Sequence, residues 1–212
     1  MRLLQILFFL LIVRPILFII LGVNIRNKEG LPKKGPAIIV ANHNSHLDTL
    51  LLMSLFPFYM LHQIRPIAAA DYFLRKKWIS WFSLNIMNIL PLERQKWRKI
   101  DQLFAEVYKA LAKGEIVILY PEGTRGEPEQ LQRYKSGIYH LMKKLNEVPI
   151  YPVFIHGFGK ALPKGDPVLV PLFVDVFVGE KFFCRNDRKP FMEELNHRMS
   201  SLANMGNFSE WD

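Results

Sequence analysis

His43 and Asp48 place a titratable base and a carboxylate five positions apart, directly after the apolar run Ala37–Val40. A second apolar run, Leu50–Met53, follows, so the pair is predicted where a buried strand turns into a helix. Sites of open α/β sheets lie there, outside the carboxyl ends of strands. A carboxylate that accepts one ring N–H of histidine fixes its tautomer and favours the imidazolium. Without a paired nucleophile, the arrangement is typical of a general base acting on a substrate hydroxyl.

The same residues also fit a structural role. Ser45 and Asp48 have the spacing of a capping box, with Ser45 as the N-cap and Asp48 at the third helical position. Capping and catalysis can coexist. His46 falls in the first helical turn, where the helix dipole disfavours a charged imidazole, so we interpret it as structural or pocket-lining.

Composition limits the class of partner. The 212 residues suit one α/β domain with an appendage, half of them are hydrophobic, and the net charge is +9. Such a charge indicates anionic partners, and the absence of a nucleic-acid-binding motif favours anionic membrane lipid over nucleic acid. Cys184 is the only cysteine, so no internal disulfide can form.

The N-terminal stretch from Leu3 to Leu21 is apolar except for Gln5, Arg14 and Pro15. As a helix it would reach ~28 Å, close to the ~30 Å hydrocarbon core of a bilayer. It either spans the membrane, with Arg14 reaching the nearer headgroups, or lies in the interface as two short helices. A cleaved signal peptide is disfavoured because no small-x-small cleavage site follows the stretch.

We therefore predict two parts: a membrane anchor or interfacial helix over residues 1–25 and an enzymatic domain over residues 26–212. Positive charges follow the apolar stretch and place the domain on the cytoplasmic side. These charges are Arg26, Lys28, Lys33 and Lys34.

Predicted strands alternate with predicted helices in the remainder. This alternation indicates an α/β fold with a mixed, mostly parallel sheet flanked by helices, beside the N-terminal membrane-associated helix. Pro149 and Pro152 interrupt the strand predicted over residues 148–155, which favours an edge or bulged position. One continuous helix is predicted over residues 71–82, and a strand over residues 86–92.

Polar residues follow three of the predicted strands, at 43–48, 93–94 and 122–125. If these strands are parallel neighbours, the three loops meet at one edge of the sheet. The arginines at 94 and 125 offer forked donors that match a phosphate, although a surface salt bridge would explain either one. Gly123 would let the backbone approach a ligand, and Lys135-Ser136-Gly137 adds a cation and a possible helix start.

Four ordered blocks of this sequence resemble those of the glycerolipid acyltransferases, above all the bacterial 1-acylglycerol-3-phosphate acyltransferases. The blocks are Asn42-His43-x-x-x-x-Asp48, Ile89-Leu90-Pro91-Leu92-Glu93-Arg94, Glu122-Gly123-Thr124-Arg125, and Val148-Pro149-Ile150-Tyr151-Pro152-Val153. The spacing His-x4-Asp is common by itself. The combination with Glu-Gly-Thr-Arg about eighty residues later makes the resemblance specific.

The resemblance implies transfer of an acyl group from acyl-CoA or acyl-acyl carrier protein to a lysolipid hydroxyl, with 1-acylglycerol-3-phosphate giving phosphatidic acid. It implies that His43 is the base, that Asp48 orients it, and that neither a metal nor a further cofactor is required. Pro152 would be structural or lie near the acyl donor. The residues implied in acceptor binding are Arg94, Glu122, Gly123, Thr124, Arg125, Lys135 and Gly137.

The sequence departs from the family pattern at Asn88, where glycine is common, at Pro91, and at Gly126, where serine is common. These departures leave the acceptor open, and a lyso-aminolipid such as lyso-ornithine lipid is an alternative. A metal-dependent hydrolase and a non-catalytic lipid-binding membrane protein are rival interpretations. The expected location is the cytoplasmic face of a bacterial inner membrane.

Overall fold

The computed structural model describes residues 1–73, 75–93, 100–124, 132–161, 173–185, 187–206 and 208. Within these residues seven strands form one sheet with the spatial order β1-β7-β6-β2-β5-β3-β4. The strands are β1 (Val23–Arg26), β2 (Ala37–Ala41), β3 (Ile64–Ala69), β4 (Leu90–Leu92), β5 (Ile116–Leu119), β6 (Ile150–His156) and β7 (Val174–Val178).

Only β6 and β7 pair antiparallel in the described sheet, and every other neighbouring pair is parallel. The predicted mixed, mostly parallel sheet flanked by helices is therefore confirmed. Central strands β2 and β5 are buried on both faces, which explains why they read as continuous apolar runs rather than as alternating patterns.

Helices cover both faces of the sheet. Alternate residues of β2 point to opposite faces: Ile39 packs with α2 and the N-terminal helix, and Ile38 packs with α6, α7 and α9. The α-helices are α1 (Arg2–Phe8), α2 (Leu47–Ser54), α3 (Ala70–Phe73), α4 (Lys77–Asn85), α5 (Ile100–Leu103), α6 (Ala105–Ala112), α7 (Gly137–Met142), α8 (Phe158–Ala161) and α9 (Arg188–Asn204). A 3₁₀ turn over Phe58–Gln63 precedes β3.

The edge position predicted for β6 is wrong, because β6 lies between β2 and β7. The carbonyl oxygen of Pro152 accepts a hydrogen bond from the Gly179 N–H, on the side of β7. The missing N–H of Pro152 therefore also points to that side, where β7 has just ended at Val178. A proline is tolerated inside this sheet because no ladder bond is required of it there.

Two other predicted elements differ. The helix predicted over 71–82 is divided into α3 and α4, and residue 74 lies outside the described residues. The strand predicted over 86–92 shortens to β4, because Asn88 adopts a left-handed conformation (φ 54°) two residues before β4 begins.

The N-terminal helix, Arg2–Ile20, is long and apolar enough to cross a membrane. It continues α1 through π-helical turns at Phe9–Val13 and Ile16–Ile20. One stripe of it is buried against the domain, at Gln5, Phe9, Val13, Leu17 and Leu21.

Arg14 points into the domain rather than away from it. Its guanidinium donates to the carbonyl oxygens of Ser54 and Phe56 at 3.2 and 2.9 Å and lies 3.8 Å from the ring centroid of Phe58. These carbonyls end α2, so the charge satisfies the helix C-terminus. An arginine inside this apolar stretch is thus explained by the fold rather than by lipid headgroups.

Candidate active site

The loop from β2 to α2 brings His43 and Asp48 together. The His43 Nδ1 lies 3.0 Å from Asp48 Oδ2, and the Asp48 side chain is fully buried, while 17% of the His43 side chain remains accessible. An imidazole that donates its Nδ1–H to a carboxylate carries a lone pair on Nε2. The pair therefore has the geometry of a general base and the acid that orients it.

Asp48 also serves the start of the helix. Its Oδ2 accepts the backbone N–H groups of Asn44 and Ser45 at 2.7 and 2.8 Å, in addition to the contact with His43. The predicted capping box is wrong in register: the N-cap of α2 is His46, so Asp48 is the second helical residue, and the Ser45 hydroxyl lies beside the Leu47 N–H instead of the Asp48 N–H. One carboxylate oxygen of Asp48 thus both binds backbone N–H groups at the start of the helix and orients His43.

Asn42 holds the β2 end of this loop. Its side-chain amide donates to the carbonyl oxygen of Ile155 and its oxygen accepts the Ile155 N–H, both at 2.8 Å. The side chain continues the hydrogen bonding between β2 and β6 by one step beyond Ala41, directly before His43. Sequence reasoning quoted Asn42 only as part of a motif, since its partner stands 113 positions away.

Glu122 lies beside the pair because β5 is the parallel neighbour of β2. Its Oε2 accepts the backbone N–H of His43 at 3.3 Å, and only 2% of the residue is exposed. Burial, assisted by the charge of Asp48, raises the pKa of the Glu122 carboxyl to about 7, against the opposing effect of the backbone N–H groups of His43 and Gln132. Glu122 thus contacts the loop that carries His43.

Glu122→Gln should remove a pH dependence of stability. A carboxyl whose pKa rises from 4.5 to about 7 on folding stabilises the folded state fully below pH 4.5. That stabilisation, about 3 kcal/mol at most, is lost as the pH rises through 7. We expect the unfolding temperature of the wild type to fall as the pH rises over this range, and that of the variant to change less.

The matched control is Glu106→Gln, which removes a carboxylate that is 59% exposed. It should leave the pH dependence close to that of the wild type. If the unfolding temperatures of Glu122→Gln and the wild type change equally with pH between pH 4.5 and 7, the assignment of a raised pKa to Glu122 is wrong.

Tyr120 forms the wall against which His43 rests. The two rings are stacked, with centroids 4.0 Å apart and planes inclined by 18°. The Tyr120 hydroxyl is hydrogen-bonded to Thr49 Oγ1 at 2.9 Å, which ties β5 to α2. Sequence reasoning missed both residues; the signal was an aromatic two positions before Glu122 and a hydroxyl one position after Asp48.

Tyr120→Leu should lower kcat about tenfold with little change in KM, because a ring face over an imidazolium contributes about 1–2 kcal/mol. Tyr120→Phe keeps the ring and should lose less than about threefold. Steady-state kinetics on folded variants, checked by thermal unfolding, would test this. A leucine variant with wild-type kcat would contradict the positioning role.

The loop after β5 gathers several of the predicted binding residues. Gly123 has φ +77°, and a Cβ there would lie 3.0 Å from Lys135 Nζ, so the lysine side chain covers the glycine. Thr124 is exposed beside it, and Gly137 begins α7 two residues after Lys135. Arg94 and Arg125 lie outside the described residues.

Two backbone N–H groups near His43 that could act as oxyanion donors are already engaged. The Gly123 N–H donates to the carbonyl oxygen of Tyr120 at 3.0 Å, and the Ser45 N–H donates to Asp48. Neither group is free to hold a tetrahedral intermediate in this arrangement.

The segment that precedes Arg94 accommodates two of the three departures from the family pattern, and the third, Gly126, lies outside the described residues. Asn88 adopts the left-handed conformation that a glycine would supply, and its amide donates to the carbonyl oxygens of His62 and Ile64. Pro91 lies in the edge strand β4, where a missing N–H is tolerated. β4 is parallel to β3 and ends at the same edge as β2, roughly 14 Å away at ~4.8 Å per strand.

The other predicted residues lie apart from this cluster or form no ligand set. Pro152 pairs with Val40 on the sheet and lines a shallow cavity beside Leu202 of α9, which supports a packing role. His46 stacks on Tyr72. In the described part of the chain, histidine, cysteine, aspartate and glutamate form no group of three that could hold a metal ion.

The model of the family described as Acyltransferase matches residues 22–156, which contain the whole of this cluster. The chain belongs to the acyltransferase family. Its His-x4-Asp loop and its Glu-Gly-Thr-Arg loop are two of the blocks on which the resemblance was based.

Named relatives agree with this assignment. The chain is 32% identical over 147 residues to 1-acyl-sn-glycerol-3-phosphate acyltransferase LPAT1, chloroplastic, of Arabidopsis thaliana, covering 68% of this chain and 38% of that protein. It is 25% identical over 177 residues to the 1-acyl-sn-glycerol-3-phosphate acyltransferase of Pseudomonas aeruginosa, covering 82% of this chain and 64% of the relative. The match thus spans less than two thirds of these relatives' lengths.

A solved structure supports the same fold. The crystal structure of the 1-acyl-sn-glycerophosphate (LPA) acyltransferase PlsC from Thermotoga maritima superposes with a TM-score of 0.73 over 100% of both chains, at 20% sequence identity. The mixed sheet and its flanking helices are therefore those of a structurally known acyltransferase.

Proposed function

We propose that this protein transfers a fatty acyl group from an acyl thioester, acyl-CoA or acyl-acyl carrier protein, to the free hydroxyl of 1-acylglycerol-3-phosphate, giving phosphatidic acid. The contact between His43 Nδ1 and the buried Asp48 carboxylate carries the proposal. Family membership and the names of the relatives support the reaction and the acceptor.

In the proposed reaction, Nε2 of His43 takes the proton of the acceptor hydroxyl as its oxygen attacks the thioester carbonyl. Asp48 stabilises the imidazolium that forms. The tetrahedral intermediate then expels the thiolate, and the carbon–sulfur bond breaks. The imidazolium returns the proton to the thiolate, so the base is regenerated and no metal is needed.

The acceptor phosphate would be held at the same sheet edge. Lys135 and Gly123 lie together after β5, and Arg94 and Arg125 are the arginines that the family pattern assigns to this role. Forked guanidinium donors suit a phosphate monoester better than they suit a neutral headgroup. This chemistry favours 1-acylglycerol-3-phosphate over a lyso-aminolipid as the acceptor.

The enzyme would work at a membrane surface, with its N-terminal helix in the plane of the bilayer. The middle of that helix packs against the domain, and Arg14 bonds to the end of α2, whereas a spanning helix would be surrounded by lipid. Its outward side is apolar, with Leu3, Leu11 and Ile19 at 68%, 65% and 80% exposure. The basic residues that follow the helix would be attracted to the anionic lipids of the cytoplasmic leaflet, which supports a location on that face.

The test is a product analysis. Purified protein would be incubated with a panel of lysolipids and each of the two thioester donors, followed by mass spectrometry of the lipids and a thiol assay. We expect phosphatidic acid and one free thiol per product. Acylation of a lyso-aminolipid alone would overturn the acceptor, and no acylated product from any pair would overturn the activity.

A further inference from the structure

Helix α4 carries large aromatic residues on its outer side. Trp78 is 69% exposed, Trp81 50% and Leu84 42%, and their spacing of three places them on one face. The opposite side packs inward, with Ser83 buried. Tryptophan is among the side chains that folding buries most, so two of them side by side on one helix face mark a contact surface.

Positive charge accompanies this face. Arg75, Lys76 and Lys77 are all exposed and directly precede Trp78, and the sequence carries no acidic residue between Arg75 and Asn85. Tryptophans flanked by lysine or arginine are typical of segments that lie at the boundary between lipid headgroups and acyl chains. The face is thus complementary to an anionic bilayer in both polarity and charge.

The α4 face also adjoins the N-terminal helix. The rings of Phe8 and Phe82 meet edge to face with centroids 5.2 Å apart, and the Gln5 amide donates to the carbonyl oxygen of Ile86 at 2.9 Å. A bilayer that covers the outward leucines of the N-terminal helix therefore reaches the neighbouring helix.

The α4 helix is joined to the candidate active site through α3. Tyr72 of α3 is 49% exposed and stacks on His46, with ring centroids 5.6 Å apart. His46 lies three residues after His43. Contact of α4 with lipid would bring this side of the site to the headgroup region, where a lysolipid acceptor resides.

We infer that α4 is a second membrane-docking element, in which Trp78 and Trp81 enter the interface of an anionic bilayer and Arg75, Lys76 and Lys77 bind lipid phosphates. This goes beyond the proposed function, which assigns membrane contact to the N-terminal helix. Two contacts on neighbouring helices fix the rotation of the domain on the membrane, whereas a single helix leaves it free to roll.

Tryptophan fluorescence tests the inference directly. The chain has four tryptophans, so the double substitution Trp97→Phe and Trp211→Phe leaves only those of α4. The protein would be mixed with vesicles of phosphatidylcholine and phosphatidylglycerol that carry bromine either near the headgroups or near the acyl-chain ends. We expect a blue shift and stronger quenching by the shallow bromines.

Charge reversal tests the basic part. Lys76→Glu with Lys77→Glu should weaken vesicle binding about tenfold or more at low salt, and by less at high salt. Vesicles of phosphatidylcholine alone should bind the wild type less well than anionic ones. The matched control is Lys143→Glu with Lys144→Glu on the opposite face of the domain, which should leave vesicle binding nearly unchanged.

The outcomes separate this inference from the activity. Vesicle-bound protein whose emission is neither shifted nor quenched would show that the N-terminal helix docks alone, and would overturn the inference. A shift produced by acyl carrier protein but not by vesicles would overturn it as well. Quenching in a protein that forms no acylated product would support α4 docking while removing the proposed reaction.

Discussion

His43→Ala should lower kcat by about 10²–10⁴-fold or more while the protein remains folded. The loss follows because no other group in the described cluster replaces Nε2 beside Asp48. The fold should tolerate the change because the Asp48 carboxylate keeps its two backbone N–H donors from Asn44 and Ser45. The buried charge therefore stays hydrogen-bonded when its histidine is removed.

The measurement is thiol release from an acyl thioester with saturating lysolipid, on protein whose thermal unfolding matches the wild type. His46→Ala is the control, since it removes a histidine three positions away that rests on Tyr72. The His46→Ala substitution should lower kcat only slightly. Wild-type turnover by the His43→Ala variant would exclude His43 as the base.

Asp48→Asn should separate the catalytic role of this residue from its structural one. An asparagine oxygen can still accept the two backbone N–H groups, so stability should fall by no more than about 1 kcal/mol. The amide cannot stabilise an imidazolium by charge, so we expect kcat to fall by at least about 100-fold.

Asp48→Ala removes both roles and should also lower stability by about 2–4 kcal/mol, because two buried N–H groups lose their acceptor. Ser45→Ala, which removes only the hydroxyl beside the Leu47 N–H, should leave the rate nearly unchanged. The comparison needs kcat and denaturant unfolding for all three variants. Activity of the Asp48→Asn variant within a few-fold of the wild type would mean that His43 needs no charged partner.

Local patterns in the sequence determined much of this protein. The spacing of His43 and Asp48 within one strand–helix junction was enough to predict their contact, because a carboxylate in the first turn reaches only nearby groups. It did not give the N-cap, which is His46 and not Ser45. The alternation of apolar strands with helices predicted the mostly parallel sheet. The meeting of the loops after β2 and β5 followed from the sequence only on the condition that their strands are parallel neighbours, and the structure meets this condition.

Tertiary structure alone decided the contacts that join distant segments. The stacking of Tyr120 on His43 and the bond from the His43 N–H to Glu122 depend on β5 being inserted beside β2, which no local pattern records. Strand β6 can contain Pro152 inside the sheet because β7 ends at Val178, and the sequence does not show where β7 ends beside it. A proline in the sequence shows that one backbone N–H is missing, but it does not show which neighbouring strand would have accepted a hydrogen bond from that N–H.

The direction of single side chains was likewise decided by packing. Arg14 in an apolar stretch was expected to reach lipid headgroups if the helix spans the membrane, whereas in the structure it points into the domain. Arg14 turns inward because the last carbonyls of α2 lack donors within the helix. It reaches them only once α2 has packed against the N-terminal helix. The elements that pack against a helix decide which of its faces meets the core, whereas the period at which its apolar residues recur can be read from its own sequence.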